Sequence, residues 1–244
     1  MSKYSFLNYF FDLFLKSSNL TSLMLVDTVS FISDNKRCLR LILSSNEYEK
    51  LKVLCELNNY KSTAVPIKFE KKGNTWYNFS KYDSKESVQT LLAVISSSED
   101  EAYACLNAEI TGDIKTAGEL FDYPKCCVEF YQQFLQNSSK NWALNILNAS
   151  GEGPYPYHAN RIATGWRGIN FAAELFPCSL KCKDAIQIGL INEKSFYKLG
   201  LSKLAEKIKS HSLAPCILRK DGSIIKYYDD YIIKNDERLI HFSD

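Results

Sequence analysis

The sequence predicts an α+β protein, with a mixed N-terminal portion, a helical cysteine-bearing portion and a C-terminal β-hairpin. Three observations support this class. Strand-like apolar runs alternate with a helical segment early in the chain, helical spacing dominates its middle, and two β-rich runs flank the turn pair Asp221-Gly222. We therefore expect portions at 1–98, 99–212 and 213–244, with the hairpin packed on the N-terminal sheet.

The N-terminal portion is predicted to combine helices and strands. Phe6, Phe10 and Leu13 recur at helical spacing, which predicts an amphipathic helix docked on the core. The other predicted elements follow in order: strands at 22–32 and 37–45, a helix at 47–59, a hairpin at 64–80 that turns at Lys72-Gly73-Asn74, and a helix at about 86–97.

The middle portion is predicted to be a series of short helices around one irregular loop. Two helices are expected within 99–121, and a Gly/Pro/aromatic loop at 151–161. Further helical pieces are expected at 125–136, 141–149, 168–176, 178–189, 193–200 and 202–211.

The composition is that of a globular protein that can bury a real core. Of 244 residues, 45% are hydrophobic and 24% charged, and the formal net charge is +2. So small a charge argues against an obligate nucleic-acid binder, although a local basic patch stays compatible with it. No stretch reaches the roughly 18–20 apolar residues of a membrane span. We expect no membrane association, a cytoplasmic location and reduced thiols, and leave the oligomeric state open.

The eight cysteines fall into two classes. Four stand singly in apolar surroundings, where free cysteine packs as a small hydrophobe: Cys38, Cys55, Cys105 and Cys216. The other four follow an aromatic residue and a proline in two segments, "FDYPKCCVEFY" and "FPCSLKC": Cys126, Cys127, Cys178 and Cys182. The shared context of this second class suggests one site.

Both proline-cysteine segments are predicted to open a helix, since proline favours the first helical position. Pro124 would place two cysteines in a first helical turn. Pro177 would begin a helix with Cys178 and Cys182 one turn apart on the same face. Free N–H groups and the helix dipole stabilise thiolates there, and thiolates bind metals.

We expect the four thiols to hold a [4Fe-4S] cluster. Zinc ribbons prefer C-x2-C pairs on tight turns, which the adjacent cysteines and the C-x3-C pair match poorly. Iron–sulfur clusters accept more varied cysteine spacing. Zinc, metal-free reactive thiols and simple packing remain alternatives.

Polar residues between the two cysteine segments are candidate catalytic groups: His158, Arg161 and Arg167. The arginines could bind an anionic group, and the histidine could move a proton or act as a ligand. The alternative is a surface loop with solvated arginines.

The stretch from "AYACLNAEITGDIKTAGELFDYPKCCVEFY" to "FPCSLKC" resembles an uncharacterised archaeal and bacterial family, a domain of unknown function with GYPxCCVxxF and PCSxxC blocks. The resemblance covers about residues 101–190. Asp122 stands where that family usually has glycine. The resemblance implies that the four cysteines form one site, and it implies no reaction.

Three functions are consistent with these residues. The first is a [4Fe-4S] enzyme, with an open iron or a neighbouring thiol acting in lyase or sulfur-transfer chemistry on a small molecule or an RNA base. The second is an iron–sulfur or zinc module that recognises a partner or nucleic acid. The third is a metal-free thiol enzyme. Walker, G-x-G-x-x-G, G-x-S-x-G and H-E-x-x-H motifs are absent from the sequence.

Overall fold

The computed structural model describes residues 3–16, 22–71, 77–81, 90–136, 142–162, 169–219, 223–226, 232–234 and 237–244. These residues combine helices with small sheets, which confirms the α+β class. The chain forms two compact units, Met1–Tyr123 and Pro124–Asp244. The predicted boundary at residue 98 and the packing of the hairpin on the N-terminal sheet stay predictions. Both predicted turn sequences lie outside the described residues.

The first unit contains helices and a four-stranded antiparallel sheet, in which the strand order is β1-β4-β2-β3. Its elements are α1 (Lys3–Lys16), α2 (Ser22–Ile32), β1 (Cys38–Ser44), α3 (Ser45–Leu57), β2 (Lys61–Lys71), β3 (Tyr77–Lys81), β4 (Thr90–Ser96), α4 (Glu99–Thr111) and α5 (Ile114–Leu120). The predicted N-terminal helix, the helix near 47–59 and the hairpin strands are confirmed.

The central strand β4 corrects the helix predicted at about 86–97. Ala93 pairs with Leu41 of β1 and with Ala64 of β2. Leu92 and Val94 pack with α4, while the alternate residues of β4 are buried too. A strand covered on both faces is a continuous apolar run, which periodicity alone does not separate from a buried helix.

The segment predicted as a strand at 22–32 is the helix α2, and this prediction is wrong for the same reason. Residues 24–32 are all buried, so the run lacks an exposed face. Within the helix, the Thr28 hydroxyl donates to the Met24 carbonyl oxygen at 2.7 Å. Burial outweighs the β-propensity of the branched residues.

The second unit holds mainly helices and two small sheets. Its elements are α6 (Lys125–Gln136), α7 (Trp142–Ser150), β5 (Tyr155–Pro156), a 3₁₀ turn (Tyr157–Ala159), α8 (Lys183–Lys198), α9 (Ser202–Leu213), β6 (Cys216–Leu218), β7 (Ile224–Lys226), β8 (Arg238–Ile240) and β9 (Phe242–Ser243). β6 pairs antiparallel with β7, which confirms the hairpin, and β8 lies on its other edge. β5 and β9 form a short parallel pair.

Two helix predictions in this unit are corrected. Of the segment predicted as a helix at 168–176, the structure describes 169–176, which form a turn at 171–174 rather than a helix, with Ala173 at a φ of 56°. The end of the piece expected at 178–189 and most of the piece expected at 193–200 lie in one continuous helix, α8. Among the described residues, helices that combine the length and the apolar character needed to cross a membrane are absent.

Candidate metal centre

Helix α6 presents two of the four cysteines in its first turn, as predicted. The Pro124 carbonyl oxygen accepts hydrogen bonds from the N–H groups of Cys127, at 2.9 Å, and Val128, at 3.0 Å. Cys127 lies on the buried face with Val128 and Phe134, whereas Cys126 is exposed. The sequence thus places one thiol toward the core and its neighbour toward solvent.

The second pair of cysteines is held by a loop rather than by a helix, and here the prediction is wrong. Helix α8 begins at Lys183, so Cys182 is its N-cap residue and Cys178 precedes the helix. Leu180 is fully buried, and its N–H donates to the Ser150 hydroxyl oxygen at 2.8 Å. The Cys182 N–H donates to the Ser179 carbonyl oxygen at 3.1 Å. These hydrogen bonds hold residues 178–182 in a tight loop instead of a continuous helix.

The structure brings the four thiols together. Their sulfur atoms all lie within 4.8 Å of one another. Cys126 Sγ is 3.9 Å from Cys127 Sγ and 3.7 Å from Cys182 Sγ, and the Cys127 and Cys182 sulfurs are 3.8 Å apart. Cys178 also donates its backbone N–H to Cys127 Sγ at 3.4 Å. Such a four-thiol group can hold a metal ion.

The surroundings shift the pKa values of Cys127, Cys178 and Cys182, and not all in the same direction. Burial raises the pKa of Cys127, and burial together with the neighbouring Cys182 raises the pKa of Cys178 to about 12. Burial also acts to raise the pKa of Cys182, but the Ala185 N–H and the surrounding thiols outweigh it, so the pKa of Cys182 is lowered. Cys182 therefore ionises before Cys127 and Cys178.

Lysines flank the cluster in sequence. Lys181 lies between Cys178 and Cys182, and its ammonium group donates to the Glu152 carbonyl oxygen. Lys125 lies 3.9 Å from Glu129 in an exposed pair one turn along α6. Both ammonium groups thus have oxygen partners outside the four-thiol group.

His158 lies in a hydrogen-bonded group that is separate from the four cysteines. Its Nε2 lies 2.8 Å from Glu193 Oε2, and the Tyr157 hydroxyl donates to that same oxygen at 2.8 Å. The His158 side chain is 10% exposed and that of Glu193 is 12% exposed. Within the described chain, the four-sulfur group does not include His158. A role as a metal ligand is therefore not supported.

Arg161 is a buried core residue rather than a solvated loop residue. It is 1% exposed, and its guanidinium carbon lies 4.8 Å from the centre of the Phe176 ring and 5.8 Å from that of Trp142. Phe176 in turn stacks on Tyr131 of α6. Arg161 thus stabilises the aromatic cluster that precedes Cys178. Arg167 lies outside the described residues.

Two residues that hold the loop and the His158 side chain in place were not predicted from the sequence. Ser150 ends α7 and fixes the loop through Leu180, and Glu193 accepts the bonds from His158 and Tyr157. Neither stands in a motif. Only the juxtaposition of segments about thirty residues apart reveals them.

The fold and the site define an α+β protein with a candidate four-cysteine metal centre. The chain belongs to the DUF483 family, described as proteins of unknown function, whose model matches residues 80–208. The matched region is just over half of the chain and includes all four clustered cysteines. Comparison with curated proteins and with solved structures gave no match.

Proposed function

We propose that this chain is a zinc-binding protein, in which Cys126, Cys127, Cys178 and Cys182 hold one Zn²⁺ ion. The ion would fasten the loop 178–182 onto the first turn of α6. The observation that carries this proposal is the spacing of the four sulfur atoms, which lie within 4.8 Å of one another.

The spacing fits a single tetrahedral ion. Zinc–thiolate bonds are about 2.3 Å long, so the sulfurs of a tetrahedral site lie about 3.8 Å apart. The measured separations among Cys126, Cys127 and Cys182 are 3.7, 3.8 and 3.9 Å. These three sulfurs thus match one face of the tetrahedron, and the Cys178 sulfur supplies the remaining corner.

The same distances support zinc over the [4Fe-4S] cluster expected from the sequence. Each thiolate of such a cluster binds a different iron, so the four-iron body separates the sulfurs more widely than a single ion does. The iron–sulfur hypothesis stays a prediction. A single iron bound by four thiolates has nearly the same shape as the zinc site, so metal analysis must discriminate between them.

A site with four protein ligands has the character of a structural centre. Catalytic zinc sites keep one coordination position open for water or substrate, whereas structural sites are closed. The enzymatic hypothesis, with His158, Arg161 and Arg167 as catalytic residues and a small molecule or RNA base as substrate, stays a prediction. The burial of His158 and Arg161 among protein partners favours structural roles for both.

The decisive experiment is metal analysis of the full chain purified without oxygen, with zinc, iron and acid-labile sulfide assayed on one sample. About one zinc per chain in a colourless protein is expected. About four irons and four sulfides with a visible absorption band would establish the cluster instead. A colourless protein that takes up neither metal after reconstitution would remove the proposed function.

Cysteine variants locate the ligands. Separate Cys→Ser changes at 126, 127, 178 and 182 are each expected to lose zinc during dialysis against a mild chelator. Cys216→Ser is the matched control, because Cys216 is buried like Cys127 but stands apart from the cluster. Zinc retained at full occupancy in any of the four variants would exclude that cysteine from the site.

A further inference from the structure

We propose that Cys126 and Cys182 form a peroxide-sensitive pair, whose oxidation to a disulfide releases the zinc ion. This inference rests on the proposed function for the metal and on the thiol geometry for the disulfide. It makes the centre a modification site as well as a structural one.

Exposure selects the first thiolate to react. Cys126 is exposed, Cys178 and Cys182 are partly exposed, and Cys127 is 1% exposed. Zinc keeps its cysteine ligands deprotonated, and the thiolate is the form that attacks peroxide. Hydrogen peroxide arriving from solvent therefore meets Cys126 first.

Distance and backbone geometry select its partner. Cys182 Sγ lies 3.7 Å from Cys126 Sγ and must approach to about 2.05 Å. Cys127 Sγ is 3.9 Å away, but adjacent Cα atoms are about 3.8 Å apart, below the roughly 4.4 Å minimum of most disulfides. Closing that vicinal pair would break the first turn of α6. Cys182 lies 56 positions from Cys126, so no shared peptide bond fixes the separation of their Cα atoms.

The chemistry balances in two steps. The Cys126 thiolate attacks one peroxide oxygen, which forms an S–O bond, breaks the O–O bond and yields a sulfenic acid and hydroxide. The Cys182 thiolate then attacks the Cys126 sulfur, forms the S–S bond and displaces a second hydroxide. The two sulfurs together lose two electrons, the peroxide gains them, and both hydroxides take protons from the buffer. Zinc, left with two thiolates, dissociates.

The sequence makes the disulfide easy to map with trypsin. Cleavage after lysine and arginine leaves Cys126 and Cys127 on residues 126–140, Cys178 on residues 168–181, and Cys182 on residues 182–183. A cross-link from 126–140 to 182–183 therefore excludes Cys178. Variants of the two adjacent cysteines then decide between Cys126 and Cys127.

The test treats the full zinc-loaded chain with increasing hydrogen peroxide. Released zinc is followed with a chromogenic chelator, and free thiols are alkylated before digestion. One zinc released per cross-link between 126–140 and 182–183 is expected, with both reversed by dithiothreitol and added zinc. Cys126→Ser and Cys127→Ser each lack one zinc ligand, so the two are compared without bound zinc. The cross-link should persist in Cys127→Ser and in zinc-loaded Cys216→Ser, and vanish in Cys126→Ser.

Three results would overturn the inference: a cross-link that persists in Cys126→Ser, a cross-link that includes residues 168–181, or zinc release without any disulfide. Metal content measured before oxidation keeps the two proposals apart. If the chain holds no zinc, the proposed function fails, while the cross-link map of the metal-free chain still decides whether Cys126 and Cys182 are the reactive pair.

Discussion

The backbone N–H of Cys178 donates to the sulfur of Cys127 at 3.4 Å, although 51 positions separate the two residues. Cys127 is 1% exposed, so water cannot solvate a thiolate there. An N–H donor compensates part of the negative charge of a buried metal-bound thiolate. The hydrogen bond and the proposed metal thus hold the same loop on the same helix turn.

Removing the metal is therefore expected to loosen this contact locally. With zinc chelated, hydrogen exchange of backbone amides in 125–136 and 178–183 should accelerate at least about tenfold, the equivalent of about 1.4 kcal/mol of local stability. The β4 strand in the first unit serves as the internal reference and should keep its exchange rate. Exchange that is unchanged in all three segments would contradict a structural role for the ion.

The grouping of the cysteines was predictable from sequence, but the geometry of the four sulfur atoms was not. Two aromatic-proline-cysteine segments pointed to one site, and the sulfurs do meet. Residue spacing carries no information about sulfur separation when the two halves are 51 to 56 positions apart. The expectation that Cys178 and Cys182 share a helix face failed because Leu180, buried and bonded to Ser150, turns the chain before α8 begins.

Secondary structure was predictable in segments that have one exposed face and one buried face. The helix α3 has exposed positions between its buried ones, and its Ser44 and Glu47 form a capping box that marks the start. Helix α2 was predicted as a strand, and the segment of strand β4 as a helix, because both segments are buried nearly throughout. For such segments the choice between helix and strand depends on tertiary neighbours rather than on local pattern.

Substitutions at Asp122 compare the cost of its strained backbone with the stabilisation from its side-chain hydrogen bonds. Its φ of 55° lies in the left-handed region that favours glycine. Its carboxylate accepts the Arg37 backbone N–H at 2.7 Å and the Arg37 Nε–H at 2.9 Å. Asp122→Ala loses both bonds and keeps the strain, so the free energy of unfolding should fall by about 2 kcal/mol.

Asp122→Gly should be intermediate, because it loses the same bonds but relieves the strain. We expect it to be about 1 kcal/mol more stable than Asp122→Ala in urea denaturation. The order wild type, glycine, alanine is the outcome to check. A glycine variant less stable than the alanine variant would show that strain at Asp122 is negligible.

Tyr157 should make the protein sensitive to alkali. Burial, and then the hydrogen bond to Glu193, raise the pKa of Tyr157. Because the folded-state pKa exceeds the unfolded value, this stabilisation is complete below about pH 10 and is lost as the pH rises toward the folded-state value. Tyr157→Phe should cost about 1 kcal/mol at neutral pH and reduce the loss of stability above about pH 10.

The control for this prediction is Tyr103→Phe, since Tyr103 is 56% exposed. That variant should follow the wild-type curve of stability against pH when unfolding by urea is measured at successive pH values. Parallel curves for wild type and Tyr157→Phe throughout the alkaline range would mean that the Tyr157 hydroxyl contributes nothing through its ionisation.

Gly189 provides a test of the packing that holds His158. A Cβ at Gly189 would lie 2.3 Å from the His158 carbonyl oxygen and 2.8 Å from the His158 Cβ. The oxygen belongs to the backbone, so the 3₁₀ turn would have to move away from α8. Alanine favours a helix over glycine by about 1 kcal/mol, but overpacking costs about 1–3 kcal/mol.

We therefore expect Gly189→Ala to lower the free energy of unfolding by about 1–2 kcal/mol, despite its better helix propensity. Gln187→Ala in the same helix is the matched control, because Gln187 is exposed and the change should be nearly neutral. Displacement of the turn should also weaken the contact between His158 and Glu193, which a shift in the His158 ring resonances would report. A Gly189→Ala protein more stable than wild type would mean that the turn yields without cost and that close packing does not fix the position of His158.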